Sequence, residues 1–276
     1  MTGRGGSPVA DERAALTALA SAVAQEAAAL LLTRHGQVGV LQTKSSPTDV
    51  VTEMDQAAER LIRERLLAAR PGDSVLGEEG GQTGAGGDGG VRWIVDPLDG
   101  TVNYLYGLPD WAVSIAAEVA GEIVAGAVCV PLRHSLFTAA RGGGAWRESA
   151  WQPGRQRLAC NSGIALSAAL VATGFGYPAV QRAAQGPVVA AVLPRVRDIR
   201  RSGSAATDLC SVAAGQVDAY YEQGLHYWDL AAGGLIAREA GAMTGGLHGR
   251  DAGTAMTIAA SPALFAELHD LLAELC

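Results

Sequence analysis

The sequence predicts a mixed α and β protein of layered type, and three features predict it. Val113, Ile115, Ala117 and Val119, then Ile123, Ala125 and Ala127, alternate on either side of Ala120-Gly121-Glu122, the pattern of a β-hairpin in a meander. Past residue 165 strand-like runs alternate with helical periods instead, so one doubly wound sheet does not account for the whole chain. At 276 residues the chain is long for one average domain and short for two independent ones. It therefore reads as one compact unit of two closely packed lobes, 1–150 and 151–276.

The elements follow in order. Residues 1 to about 10, rich in Gly and Ser, read as a frayed terminus. Leu16, Leu19, Val23, Ala27, Leu30 and Leu31 recur near the helical period and predict a first helix ending around His35-Gly36. Gln25 and Glu26 interrupt this Ala-rich stretch and little positive charge precedes it. An amphipathic helix fits it better than a signal peptide or a membrane span. After a polar loop through Lys44-Ser-Ser-Pro47, Val51, Met54, Ala58, Leu61, Ile62 and Leu66 predict a second helix from about Thr48 to Ala69. Pro71-Gly72 stops it, and Thr52, Asp55 and Glu59 share another of its faces.

The glycine-rich segment 80–90 reads as a mobile surface loop. Trp93-Ile94-Val95 reads as a short buried strand breaking into an acidic turn at Asp96-Pro-Leu-Asp-Gly-Thr101. Leu136 to Ala140 adds a strand, 145–165 reads as a loop, and Ala169 to Thr173 and Val217 to Glu222 read as strands. Helices are expected at Val188–Val196, at Ser204–Ala214 closed by Gly215, at Trp228–Ala240 with Gly241 as cap, and at Pro262–Leu275.

Composition narrows the function. Hydrophobic residues make up 49% of the chain and charged residues 18%, enough apolar surface for a core and too much for disorder. Asp and Glu outnumber Lys and Arg by 28 to 21, a net charge of −7 with no basic block. That balance argues against nucleic acid as the principal partner. It is compatible with an anionic substrate when bound cations reverse the local field. Cys129, Cys160, Cys210 and Cys276 are scattered with no C-x-x-C pair, which predicts reduced thiols in a cytoplasmic protein.

Four acidic pieces carry the chemistry: Asp55, Glu78-Glu79, the pair Asp96 and Asp99, and Asp229 after Trp228. Alone, each has an ordinary structural reading. Asp-Pro-x-Asp-Gly-Thr is a common acidic turn, Glu78-Glu79 a solvated pair, Asp55 an exposed helix acid and Asp229 an N-cap. Two carboxylates three residues apart in a turn made of Pro and Gly can nevertheless point to one place, and like charges that close require cations. Oxygen donors with no adjacent His or Cys select Mg²⁺ over zinc or copper, and bound Mg²⁺ suits phosphate chemistry. His226, the one histidine inside a motif, reads as a packing or supporting residue, because a metal-activated water needs no imidazole.

In this order, Lys44-Ser-Ser-Pro-Thr-Asp-Val-Val-Thr-Glu-Met-Asp55, Gly77-Glu-Glu79, Trp93-Ile-Val-Asp-Pro-Leu-Asp-Gly-Thr-Val-Asn103, Gly203-Ser-Ala-Ala206 and Tyr220-Tyr-Glu-Gln-Gly-Leu-His-Tyr-Trp-Asp-Leu-Ala-Ala-Gly233 resemble the successive signatures of the inositol monophosphatases. The actinobacterial inositol-1-monophosphatases are the nearest pattern, and the resemblance runs from Lys44 to Gly241. Tyr104 stands where Phe is common and Ala242 where a second Gly often ends the last motif; neither is a metal ligand.

The resemblance implies a layered αβαβα sandwich of the sugar-phosphatase type, a cytoplasmic homodimer, two or three Mg²⁺ per subunit and inhibition by lithium. It implies metal ligation by Glu78, Asp96, the Leu98 carbonyl, Asp99 and Asp229, and activation of the attacking water by Glu78 and by Thr101 bonded to Asp55. Leu98, Asp99, Gly100, Thr101, Arg200, Gly203, Ser204, Ala205, Glu222 and Asp229 would then surround a small phosphorylated polyol, with Arg197 and Arg201 as alternatives to Arg200. Inositol 1-phosphate is the expected substrate. Histidinol phosphate, fructose 1,6-bisphosphate and 3′-phosphoadenosine 5′-phosphate are the competing esters, and an RNA- or protein-binding role is the competing class.

Overall fold

A computed structural model describes residues 8–44, 50–84 and 90–276. The chain opens with α1 (Pro8–Leu32), a two-residue ribbon of β1 (Gln42–Thr43) and β2 (Val50–Val51), and α2 (Glu53–Ala69). Next come β3 (Ser74–Gly77), β4 (Gly81–Thr83), β5 (Arg92–Asp99) and the short α3 (Thr101–Leu105). A meander follows: β6 (Ala112–Val119), β7 (Glu122–Val130), β8 (Ser135–Ala140), β9 (Gly144–Ser149) and β10 (Gln152–Arg157). The rest alternates: β11 (Leu170–Thr173), α4 (Ala179–Val192), β12 (Asp198–Arg200), α5 (Ala205–Ala213), β13 (Ala219–Glu222), α6 (Tyr227–Glu239), β14 (Met243–Gly245), β15 (Thr257–Ala260) and α7 (Pro262–Leu275).

Among the described residues the strands form two main sheets. The first has eight strands in the order β10-β9-β8-β7-β6-β5-β3-β4, the second five in the order β12-β11-β13-β15-β14. In the first only β3 and β5 run parallel; in the second β11 is parallel to both β12 and β13. Helices fill the spaces. Leu16, Ala20, Val23, Ala27 and Leu31 of α1 pack with Ala58, Ile62 and Leu66 of α2 on one face of the large sheet. Ala206, Cys210 and Ala213 of α5 and Ala232, Leu235 and Ile236 of α6 cover its other face. Leu209, Val212 and Ala237 on these same two helices meet Ala172, Tyr220 and Ala259 of the small sheet. Leu264, Leu268 and Leu272 of α7 close the outside with Val192 of α4. The stacking is α, β, α, β, α, a sandwich in which each sheet buries both faces.

Several expectations shift. α1 begins at Pro8, so the apolar period extends into part of the stretch expected to fray. It is long and apolar enough to cross a membrane by composition, yet its Ala20-Ala24-Ala27 face lies fully buried on the sheet. α2 starts at Glu53 rather than Thr48, because Thr52 is extended and its hydroxyl accepts the first free N–H groups of the helix. The glycine-rich loop is in part a strand, β4; residues 85–89 of that expectation lie outside the described residues. The stretch 145–165 is a loop only from 158 on: β9 and β10 extend the meander before it, hidden from a hydrophobic pattern because β10 is an almost wholly exposed edge. α4 starts nine residues before Val188, its first turns exposed and without an apolar stripe.

Candidate active site

The site lies where β5 ends. Period-two alternation would put Asp96 and Asp99 on opposite faces of a regular strand. Between Asp96 paired with Ser114 and Asp99 paired with Ala112, however, β5 spends one residue more than β6. That bulge turns both carboxylates toward one cavity. Pro97 sits in the bulge, where its missing N–H costs no ladder bond. Gly100 then takes φ +92°, and a Cβ there would lie 2.9 Å from the Asp110 carbonyl, so the exit from the strand requires glycine.

The cavity, about 360 Å³, is lined by Lys44, Glu78, Asp96, Leu98, Asp99, Gly100, Thr101, Gly203, Ala205, Glu222 and Asp229 among others. Glu78 stands at the end of β3, where its N–H donates to the Val95 carbonyl (3.2 Å). Asp229 arrives on the first turn of α6, its Oδ2 accepting the His226 N–H at 2.6 Å. Carboxylates from three distant segments therefore line one cavity.

Their electrostatics are unusual. Asp96 is 1% exposed and accepts the Leu98 N–H at 3.0 Å. Burial and then the charges of Glu78, Asp99 and Asp229 push its pKa well above the carboxylate range. Asp229 is pushed up by burial, then by Glu78 and Asp99. Burial lifts Asp99 to about 6, against the pull of the Ser204 hydroxyl and the Ala206 N–H, which donate to its Oδ2 at 2.6 and 2.7 Å. Glu78 is raised by burial and partly relieved by Lys44, whose ammonium donates to Glu78 at 2.8 Å and to Glu79 at 2.6 Å.

Among the described residues no three such side chains draw close enough to form a ready-made metal shell. The donor set itself fits a hard divalent ion: carboxylates and the Leu98 carbonyl, with no cysteine at the cavity wall.

Behind this wall runs a chain of hydrogen bonds. Asp55, buried, accepts the Thr52 N–H at 2.8 Å and the Thr52 hydroxyl at 2.5 Å on one oxygen, and the Thr101 hydroxyl at 3.0 Å on the other. The Thr101 hydroxyl also reaches the Leu98 carbonyl at 3.1 Å. Burial raises the pKa of Asp55, and these donors oppose the shift. Glu59, one turn on, accepts the N–H groups of Glu79 and Gly80 at 2.8 Å and fixes the loop that presents Glu78.

Glu222 faces the carboxylates from the end of β13. Its pKa is lifted to about 7 by burial, opposed by the Tyr220 hydroxyl that donates to it at 2.6 Å. A Cβ at Gly174 would overlap the Glu222 carboxylate at 2.0 Å, so glycine at the end of β11 makes room for it.

The expected residues divide accordingly. Asp55 and Ser204 stand behind the wall, hydrogen-bonded to Thr101 and Asp99. Arg200 lies outside the cavity, 53% exposed and paired with Asp198 at 2.6 Å; the neighbouring Arg201 lines it instead. Composition could not separate the two. Lys44, Phe175, Tyr177, Gln181 and His226 also line the cavity without having been assigned a role there. The signal for the aromatic pair was Gly174-Phe-Gly-Tyr-Pro178, a glycine-rich turn at the carboxyl end of a parallel strand. His226 caps α6 and stacks on Trp228 with ring centroids 5.1 Å apart, a supporting place that also reaches the cavity.

A layered fold with acids from several strand and helix ends around one polar cavity is an arrangement suited to phosphate-ester hydrolysis. The sequence profile of the Inositol monophosphatase family matches residues 12–275, and the chain belongs to that family. It is 47% identical over 264 residues to an inositol-1-monophosphatase of Mycobacterium leprae (strain TN), covering 90% of each chain. The solved structure of Mycobacterium tuberculosis SuhB superposes with a TM-score of 0.80 at 44% identity, over 95% of this chain and 97% of that one. A protein of Xylella fastidiosa (strain Temecula1 / ATCC 700964) named Nus factor SuhB is 41% identical over 234 residues, 83% of this chain and 81% of its own. The chain is a phosphatase by these relationships.

Proposed function

We propose that this phosphatase is a Mg²⁺-dependent phosphomonoesterase that hydrolyses inositol 1-phosphate to inositol and inorganic phosphate. The observation that carries the reading is the convergence of Glu78, Asp96, Asp99 and Asp229 on one cavity, with Glu222 across from them. Glu78, Asp96, the Leu98 carbonyl, Asp99 and Asp229 would hold two or three ions. Bound Mg²⁺ supplies charge for the phosphate oxygens and a water of lowered pKa.

The chain does the rest. Thr101 donates its proton toward Asp55, which leaves a lone pair on Oγ1 to accept one from the attacking water. Glu78, at the same wall, takes the second place as base. Ser204 and Ala206 fix Asp99 so that its other oxygen is free to face an ion. Glu222 accepts a hydroxyl of the polyol, and Gly203 and Ala205 keep that wall low. Arg201 supplies a positive rim. Water attacks phosphorus directly, the ester oxygen leaves with a proton, and no phosphorylated side chain forms.

A phosphate-release assay on the purified protein tests this, with inositol 1-phosphate, histidinol phosphate, fructose 1,6-bisphosphate and 3′-phosphoadenosine 5′-phosphate, with and without Mg²⁺. The highest kcat/KM is expected for inositol 1-phosphate, only with Mg²⁺. A preference for the nucleotide or for histidinol phosphate would replace the substrate, and full activity in a chelator would end the metal reading. A homodimer and lithium inhibition at a Mg²⁺ position belong to the same proposal.

The Xylella relative, named a Nus factor rather than a phosphatase, favours one second reading, an RNA- or protein-binding role. An Asp99→Asn variant separates the two: loss of hydrolysis with the cellular role intact would support binding.

A further inference from the structure

We infer that Asn103 is a positioning residue that holds the Asp99-binding turn in place before any ion arrives. The inference rests on the proposed role of Asp99 as a ligand. Asp99 and Asn103 leave the same bulge-and-helix segment, four residues apart, and both grip one turn of the opposite sheet's connection, Ser202 to Ala206. Asp99 takes the far end, accepting from Ser204 Oγ and Ala206 N. Asn103 takes the near end: its amide nitrogen donates to the Ser202 carbonyl at 2.8 Å and to the Asp110 carbonyl at 2.5 Å.

Both amide hydrogens are thus spent, and the side chain is 4% exposed, so water cannot replace them. The fit is close as well. Gly203, between the two grips, has φ +94°, and a Cβ there would lie 2.8 Å from Asn103 Nδ2. The Asp110 end is anchored in turn, because Arg133 Nε donates to the Asp110 carboxylate at 2.7 Å and Arg133 Nη1 to Ser211 Oγ of α5 at 3.3 Å.

The consequence concerns order of events. Asp99 alone would join the turn through a carboxylate that is also needed by an ion and is surrounded by other acids. A neutral amide makes the same connection with no charge and no dependence on metal. Ser204 and Ala206 then meet Asp99 already oriented, which leaves its second oxygen available.

Isothermal titration with Mn²⁺, without substrate, tests this on wild type, Asn103→Ala and Leu268→Ala, the last a core truncation in α7 remote from the cavity. Asn103→Ala is expected to weaken Mn²⁺ binding about tenfold, the loss of one to two buried neutral hydrogen bonds, and to raise the Mg²⁺ half-saturation of phosphate release by a similar factor. Leu268→Ala is expected to lower Tm while leaving the Mn²⁺ Kd within twofold. If Asn103→Ala does not fold, Asn103→Ser carries the same test. A lowered Tm with an unchanged Mn²⁺ Kd in the Asn103 variant would reduce the residue to packing and overturn the inference. No Mn²⁺ binding by the wild type would instead overturn the ligand assignment on which it stands.

Discussion

Asp73, just before β3, and Asp96, on the neighbouring β5, are both buried acids, yet what surrounds them is opposite. Asp73 accepts Arg70 Nε at 2.6 Å, Trp93 Nε1 at 2.8 Å and the Val91 N–H at 3.3 Å. Glu59 is matched likewise by Arg63 and two backbone N–H groups. Asp96 accepts one N–H, and its charged neighbours are Glu78, Asp99 and Asp229. A buried carboxylate whose donors are all supplied by the chain is structural, whereas one left among like charges is arranged for a cation from outside. The difference separates the cavity acids from the structural ones without reference to sequence motifs.

Substitution at each acid sharpens the contrast, and activity should respond most. Asp96→Asn is expected to lower phosphate release by about 10³-fold or more. In a chelator the same variant should melt higher than wild type, by about 2–4 °C for each kcal/mol of repulsion relieved. Melting below wild type would place Asp96 with Asp73. Asp73→Asn should do the reverse: urea unfolding is expected to show a loss of about 3 kcal/mol, because the buried hydrogen bonds from Trp93 Nε1 and the Val91 N–H lose their charged acceptor, with a smaller share from the part-exposed Arg70. Its Mg²⁺ half-saturation should not move.

The third effect is smaller. Mg²⁺ at about 100 times its Kd should stabilise wild type and Asp73→Asn alike by about 2.7 kcal/mol, measured by the shift in urea midpoint. Asp96→Asn should gain little. Equal gains in all three would disconnect the acids of the cavity from metal.

The smallest effect is in pH. Burial holds a proton on Glu222 to about 7 in the fold, against about 4.3 for an unfolded glutamate. That contribution to stability is complete below the unfolded value and disappears as pH rises through about 7. Metal-free wild type should therefore lose stability from pH 5 to 8 more steeply than Glu222→Gln. Parallel curves would mean that Glu222 is already ionised in the fold.

Much of this was legible in the sequence where one signal decides the outcome. Alternation around Ala120-Gly121 placed the β6–β7 hairpin, and Gly215 and Gly241, both at positive φ, ended the helices that were expected to stop there. The acids that share the cavity were legible through their motifs. The bulge was not, because register depends on β6, a partner strand the local pattern does not contain. The β9–β10 pair escaped because an exposed edge carries no hydrophobic alternation. Arg201 over Arg200 was undecidable for a similar reason: a one-residue choice of face is set by β12 pairing with β11.

Anomalous diffraction from crystals soaked in Mn²⁺ tests the central assignment most directly. Peaks are expected against Glu78 and Asp96, and between Asp96, Asp99 and Asp229, with none beside Asp73 or Glu59. Ions found only elsewhere on the protein, with these four carboxylates bare, would contradict it.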